Sequence, residues 1–112
     1  MALDRIQPAE PINVLTGVPQ EAAYKPMALF KGKHLEVARI ALQPGAGLPM
    51  HKVAGEITIH CLQGHLLVNS EGNATAELLP GELIYLPGGV PHDLHAVGQD
   101  GVALVTIALR ND

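Results

Sequence analysis

Apolar residues recur at every second position over several short stretches of this chain, and no stretch carries a helical period with start and stop signals. Residues 56–62 set the pattern: Ile57, Ile59 and Cys61 share one face, and Glu56, Thr58, His60 and Leu62 the other. A period of two is what a strand with one buried face requires. Residues 27–42 read as two such strands about the turn Lys31-Gly32-Lys33, with Val37, Arg39 and Ala41 opposed to Ala38, Ile40 and Leu42. Gln43-Pro44-Gly45 ends the second of these, and a loop is expected through Pro49. Further strands are predicted over residues 65–69, 74–79, 83–86 and 90–97. Their turns are Ser70-Glu71-Gly72-Asn73, Pro80-Gly81 and Pro87-Gly88-Gly89. The last run, VALVTIAL after Gln99-Asp100-Gly101, is apolar on both faces and predicts a strand covered on both.

Many short strands at close spacing, joined by Gly/Pro turns, predict an all-β fold, a β-barrel or jelly roll with little or no helix. Residues 1–26 carry Pro8, Pro11, Gly17 and Pro19 between short apolar pieces, which suits an N-terminal arm or edge strands lying over a barrel of residues 27–112. The whole chain of 112 residues fits one structural domain. Composition agrees: 47% of residues are hydrophobic but only 3% aromatic, so the core is built from Val, Ile, Leu and Ala, which suit pleated sheets. Seven basic against eleven acidic residues, with no basic cluster along a face, leave little to attract a phosphate backbone, and nucleic acid is excluded as an expected partner. Asp4 and Arg5 stand where a signal peptide needs its apolar run, and no stretch approaches membrane-spanning length. A cytoplasmic protein without membrane contact is expected. The single Cys61 forms no intrachain disulfide, which agrees with a reducing compartment.

Two segments stand out: residues 45–64, GAGLPMHKVAGEITIHCLQG, and residues 81–96, GELIYLPGGVPHDLHA. They resemble the two motifs of the cupin superfamily, G-x5-H-x-H-x3-E-x6-G and G-x5-P-x-G-x2-H-x3-N. Gly45, His51 and Gly64 fall in place in the first motif, and Gly81, Pro87, Gly89 and His92 in the second, without insertion. The resemblance implies a small RmlC-like cupin, a double-stranded β-helix of two antiparallel sheets. In that family three histidines and one glutamate hold a divalent metal. Here the second histidine position is Val53 and the glutamate position is Ile57, while the closing Asn position is Ala96. Carried over residue by residue, His51 and His92 remain as metal candidates, and they converge inside the barrel mouth in the family's geometry. The ion implied is a divalent transition metal (zinc, nickel, iron, manganese or copper), or none.

Substitute ligands are scarce. Glu56 is one residue from the ligand position, and alternation turns it to the opposite face unless a bulge shifts the phase. Cys61 has the right phase but lies about 13 Å along the strand from Ile57, and reads as a small core residue. His60 and His95 are out of phase with the candidate positions, and His34 is the least excluded spare ligand. The alternative for His51 and His92 is a pair of pocket histidines bonded to a backbone group or a ligand. Val53, Ile57, Ile59 and Leu94 are expected to line the pocket, or to make a better-packed core. Glu56, Asp93, His60 and His95 read as solvent-facing or interface groups, Arg39 as an ion-paired or solvated side chain, and Tyr24 and Tyr85 as packing residues with a wet hydroxyl. Three roles follow: a small-molecule-binding cupin, a metal-dependent oxygenase or isomerase, and a non-catalytic structural or regulatory dimer module. A homodimer is expected, joined through the face that carries Thr58, His60 and Leu62.

Overall fold

The structure, a computed structural model, describes residues 6–16, 24, 26–71 and 75–109. Its strands are β1 (Met27–Lys31), β2 (Leu35–Leu42), β3 (Gly47–His51), β4 (Ile57–Gln63), β5 (Leu66–Val68), β6 (Ala76–Leu78), β7 (Leu83–Leu86), β8 (His92–Ala96) and β9 (Gly101–Ala108). No helix occurs among the described residues. The strands form two antiparallel sheets, one in the order β1-β2-β9-β4-β7 and the other in the order β3-β8-β5-β6. This is the jelly-roll arrangement expected from the turn spacing.

One strand was not legible as such. A loop is expected from the sequence through Pro49, yet Gly47–His51 form β3. The strand lies at the edge of its sheet, where a residue without an N–H on the open side loses no ladder bond. Conversely, β6 is shorter than the predicted 74–79; residues 72–74 of the preceding turn lie outside the described residues.

The core is the space between the two sheets. Ile40 and Leu42 of β2, Ile57, Ile59 and Cys61 of β4, Leu66 and Val68 of β5, Leu94 and Ala96 of β8, and Ala103 and Val105 of β9 form one buried cluster. Strand alternation resolves the two faces of β2: Ile40 and Leu42 point inward, and Val37, Arg39 and Ala41 outward. β9 sits between β2 and β4 as a central strand, pairing with both along its length. Its inward residues Gly101, Ala103 and Val105 are buried and Ile107 is half-buried, whereas on its outer face Val102 is buried and Leu104, Thr106 and Ala108 are half-buried. The expectation of cover on both faces therefore holds only at the Val102 end.

Part of that outer cover comes from the N-terminal residues. The Ile6 N–H donates to the Leu29 carbonyl at 3.0 Å, and Arg39 Nε donates to the Val14 carbonyl at 2.7 Å. Arg39 is only 8% exposed. Burial lowers its pKa, and among the described residues its hydrogen bond is to a backbone carbonyl, where the sequence predicts an ion pair or a solvated end. Glycine makes the closest approach at the sheet end: a Cβ on Gly55 would lie 1.8 Å from the Ala108 carbonyl oxygen, so the loop before β4 can reach the end of β9 only with glycine there.

Candidate functional site

The two candidate histidines meet. His51 ends β3 and His92 opens β8, and the two are Cα partners in the β3–β8 ladder. Their ring centroids are 4.5 Å apart with a tilt of 54°. His92 is buried, 2% exposed, whereas His51 is exposed, so the pair runs from solvent into the interior.

A bulge makes the meeting possible. Leu48 pairs with Leu94 and His51 with His92, so three steps along β3 match two along β8. In a regular strand, residues three apart face opposite ways, and His51 would point away from the side that Leu48 occupies. The extra residue of the Pro49-Met50 bulge restores the phase and places His51 opposite the inward His92.

The ring orientation is fixed from the backbone. His51 Nδ1 lies 3.0 Å from the Pro49 carbonyl oxygen, and His92 Nδ1 lies 3.0 Å from the Val90 carbonyl oxygen. A carbonyl can only accept, so each Nδ1 donates and carries the ring proton. In the neutral ring, Nε2 then holds the lone pair. The loops bearing the rings are tied together by the Gly89 N–H, which donates to the Val53 carbonyl at 2.8 Å.

The other residues read from sequence fall elsewhere. Ile57, Ile59 and Leu94 lie in the buried core cluster, and Val53 is half-buried against it. Cys61 is fully buried; burial pushes its thiol pKa up. Glu56 is turned to the outer side, where its carboxylate accepts the Tyr85 hydroxyl at 2.5 Å; that bond holds the Tyr85 pKa above its usual value. His60 pairs across to Leu83 and Leu104 on the outer face. His34 lies in the turn between β1 and β2, with its carbonyl accepting the Leu109 N–H at 2.9 Å. Tyr24 carries its wet hydroxyl to Asp100 at 2.8 Å.

His95 and Asp93 occupy the outer face of the four-stranded sheet, 3.2 Å apart. Asp93 also accepts the Asn69 backbone N–H at 3.0 Å and the Asn69 side-chain amide at 3.3 Å, and Thr75 donates to the Asn69 side-chain oxygen. Burial pushes the Asp93 pKa up, but the Asn69 and His95 bonds outweigh it and leave it below the ordinary aspartate value. On the same face His65 Nε2 lies 2.8 Å from Glu77.

Sequence reading passed over Glu36. It shares the β2 face of Ala38, Ile40 and Leu42, is half-buried, and lies in one row with Ile107 and Ile57 across the sheet. The signal was present, since the β2 alternation extends one step back to it.

Among the described residues no group of three or more His, Cys, Asp or Glu is placed to hold a metal ion. Two imidazoles without a carboxylate do not fit the four-ligand divalent site of the fold family, and Val53 and Ile57 offer no donor. An open apolar groove of about 230 Å³, lined by Leu35, Thr58, Tyr85, Thr106 and Ala108 among others, lies away from the pair.

Fold and sequence pattern together define a double-stranded β-helix barrel. The profile of the cupin domain family matches residues 38–108, and the chain belongs to that family. Solved structures agree. A conserved protein of unknown function from Streptococcus pyogenes superposes with a TM-score of 0.79 at 19% identity, covering 100% of this chain and 97% of that one. An RmlC-like cupin from Desulfovibrio desulfuricans gives 0.76 at 25% identity, over 88% of this chain and 95% of that one. DMSP lyase DddQ from Ruegeria pomeroyi gives 0.73 at 20% identity, over 83% of this chain but 50% of the lyase. No curated protein matches the chain. At these identities the likenesses carry the fold, and the function rests on the site.

Proposed function

We propose that this cupin binds a small molecule at the barrel mouth, against His51 and His92. The observation that carries the reading is the pair itself: a bulged edge strand delivers an exposed histidine to a buried one, and both rings are oriented by backbone carbonyls. A packing role alone does not account for a polar pair held open to solvent on one side. Val53 and Ile57 make the surroundings apolar, as small-molecule sites generally are.

A divalent ion on the same nitrogens has two protein ligands where catalytic sites have three or more, so it is held weakly and exchanges freely. This weighs against the oxygenase or isomerase reading, whose Lewis-acid step needs a retained ion. The test is a thermal-shift screen of small metabolites on untagged protein. A stabilising compound whose effect disappears in His92→Ala and falls in His51→Ala supports binding; a stabilising compound indifferent to both substitutions counts against this site.

We also propose a homodimer through the outer face of the five-stranded sheet, where Leu35, Leu83 and Tyr85 are 41%, 59% and 54% exposed beside Thr58, His60 and Leu62. Light scattering at micromolar concentration checks it, and a monomer there rejects it. A cytoplasmic location accords with the single cysteine. No helix among the described residues is long and apolar enough to cross a membrane.

A further inference from the structure

The His51–His92 pair also limits what it can hold. Both Nδ1 atoms are committed as donors to carbonyls of their own strand segments, Pro49 and Val90. The two free ring nitrogens of the neutral rings are therefore both acceptors. With ring centroids 4.5 Å apart, a single ligand can engage both.

Charge points the same way. No Lys or Arg stands on the inward faces of β2, β4, β8 or β9, while Glu36 adds a carboxylate to the β2 face. The lysines nearby, Lys31, which as the Cα partner of Glu36 shares its side of the sheet, and Lys52, next to His51, are both exposed. A carboxylate or phosphate entering here brings only acceptors to two acceptors, and finds no buried cation on these inward faces to offset its loss of hydration. A hydroxyl or an amine brings the missing protons.

We infer that the ligand of this site is a hydrogen-bond donor, an alcohol, diol or amine on an apolar body, and not an organic acid or phosphate ester. The inference rests on the proposed pocket and names the class it selects.

The experiment is long-range nitrogen–proton NMR of the imidazoles in the full chain, at about pH 8. Three probes of one shape are titrated: cis-cyclohexane-1,2-diol, cyclohexylamine and cyclohexanecarboxylate. Without probe, His51 and His92 are each protonated at Nδ1 and not at Nε2; the opposite tautomer in either ring overturns the inference. The diol or the amine then shifts both Nε2 resonances and binds about tenfold or more tighter than the carboxylate. In His51→Ala, an exposed position whose loss leaves the core untouched, the response of His92 weakens; in His92→Ala it is lost from His51. Carboxylate binding as tight as that of the diol and amine overturns the ligand class while leaving the pocket standing. No shift from any probe overturns both.

Discussion

The inner faces of β4 and β8 look into the same barrel and differ at one end. On β4 the inward row is Ile57, Ile59 and Cys61, apolar throughout and buried. On β8 it is His92, Leu94 and Ala96, equally buried but opening with an imidazole. Away from the mouth the two rows are interchangeable in kind, because interior surface of a small barrel is stabilised by close apolar packing whatever the chemistry above it. At the mouth they are not. The four-stranded sheet presents two imidazoles, His92 and, through the β3 bulge, His51, whereas the five-stranded sheet presents Ile57 in one row with Ile107 and the half-buried Glu36. Stability and chemistry are thus carried by separate parts of each strand.

Substitutions can break the comparison, beginning with the deep positions. Ile59→Ala removes buried methylenes from the middle of the core and is expected to cost about 2–5 kcal/mol in denaturant unfolding. His51→Ala, at an exposed position, is expected within about 0.5 kcal/mol of the parent. Equal costs at the two sites would show that mouth and core are not separable. Next comes Gly55→Ala, whose added methyl meets the Ala108 carbonyl and must push backbone aside; about 1–3 kcal/mol is expected, read as a lowered urea midpoint at unchanged slope.

A gain-of-ligand variant sharpens the contrast further. Val53→His with Ile57→Glu puts donors back on the β4 side, and the new carboxylate is costly at a position 4% exposed until it is paired. The double variant is expected to be destabilised alone and restored by nickel or manganese, with a rise in melting temperature that the parent does not show. Identical responses in the two proteins would mean that Val53 and Ile57 are not what sets metal affinity.

The smallest effect belongs to the outer face of β8. Asp93 has its folded pKa below the unfolded value, so its bonds stabilise the fold above the unfolded pKa, and that contribution fades as pH falls through the folded one. Asp93→Asn should therefore flatten the loss of stability below about pH 4 and leave ligand response at the mouth unchanged. A steeper acid slope in the variant would reverse the assigned sign.

Local rules made most of the barrel readable. Alternation over residues 56–62 assigned the inward side of β4, and Pro/Gly turns marked the ends of β7 and β8. The resemblance to the two cupin motifs marked His51 and His92. What was not legible depended on a partner strand. The β3 bulge exists only in register with β8, so neither the strand nor the phase of His51 follows from Leu48-Pro49-Met50 read alone. Arg39 reads as an ion-paired or solvated side chain until the Val14 carbonyl is laid beside it. Glu36 was within reach of the β2 alternation, but its place beside Ile107 comes from the β2–β9 pairing.

Metal retention tests the central claim most directly, namely that the barrel is intact while its mouth keeps only an imidazole pair. Untagged protein is equilibrated with an equivalent each of manganese, nickel and zinc, desalted, and measured by elemental analysis beside its His51→Ala and His92→Ala variants. The account predicts retention far below one equivalent, alike in all three proteins. Near-stoichiometric metal in the parent, lost in both variants, would contradict it.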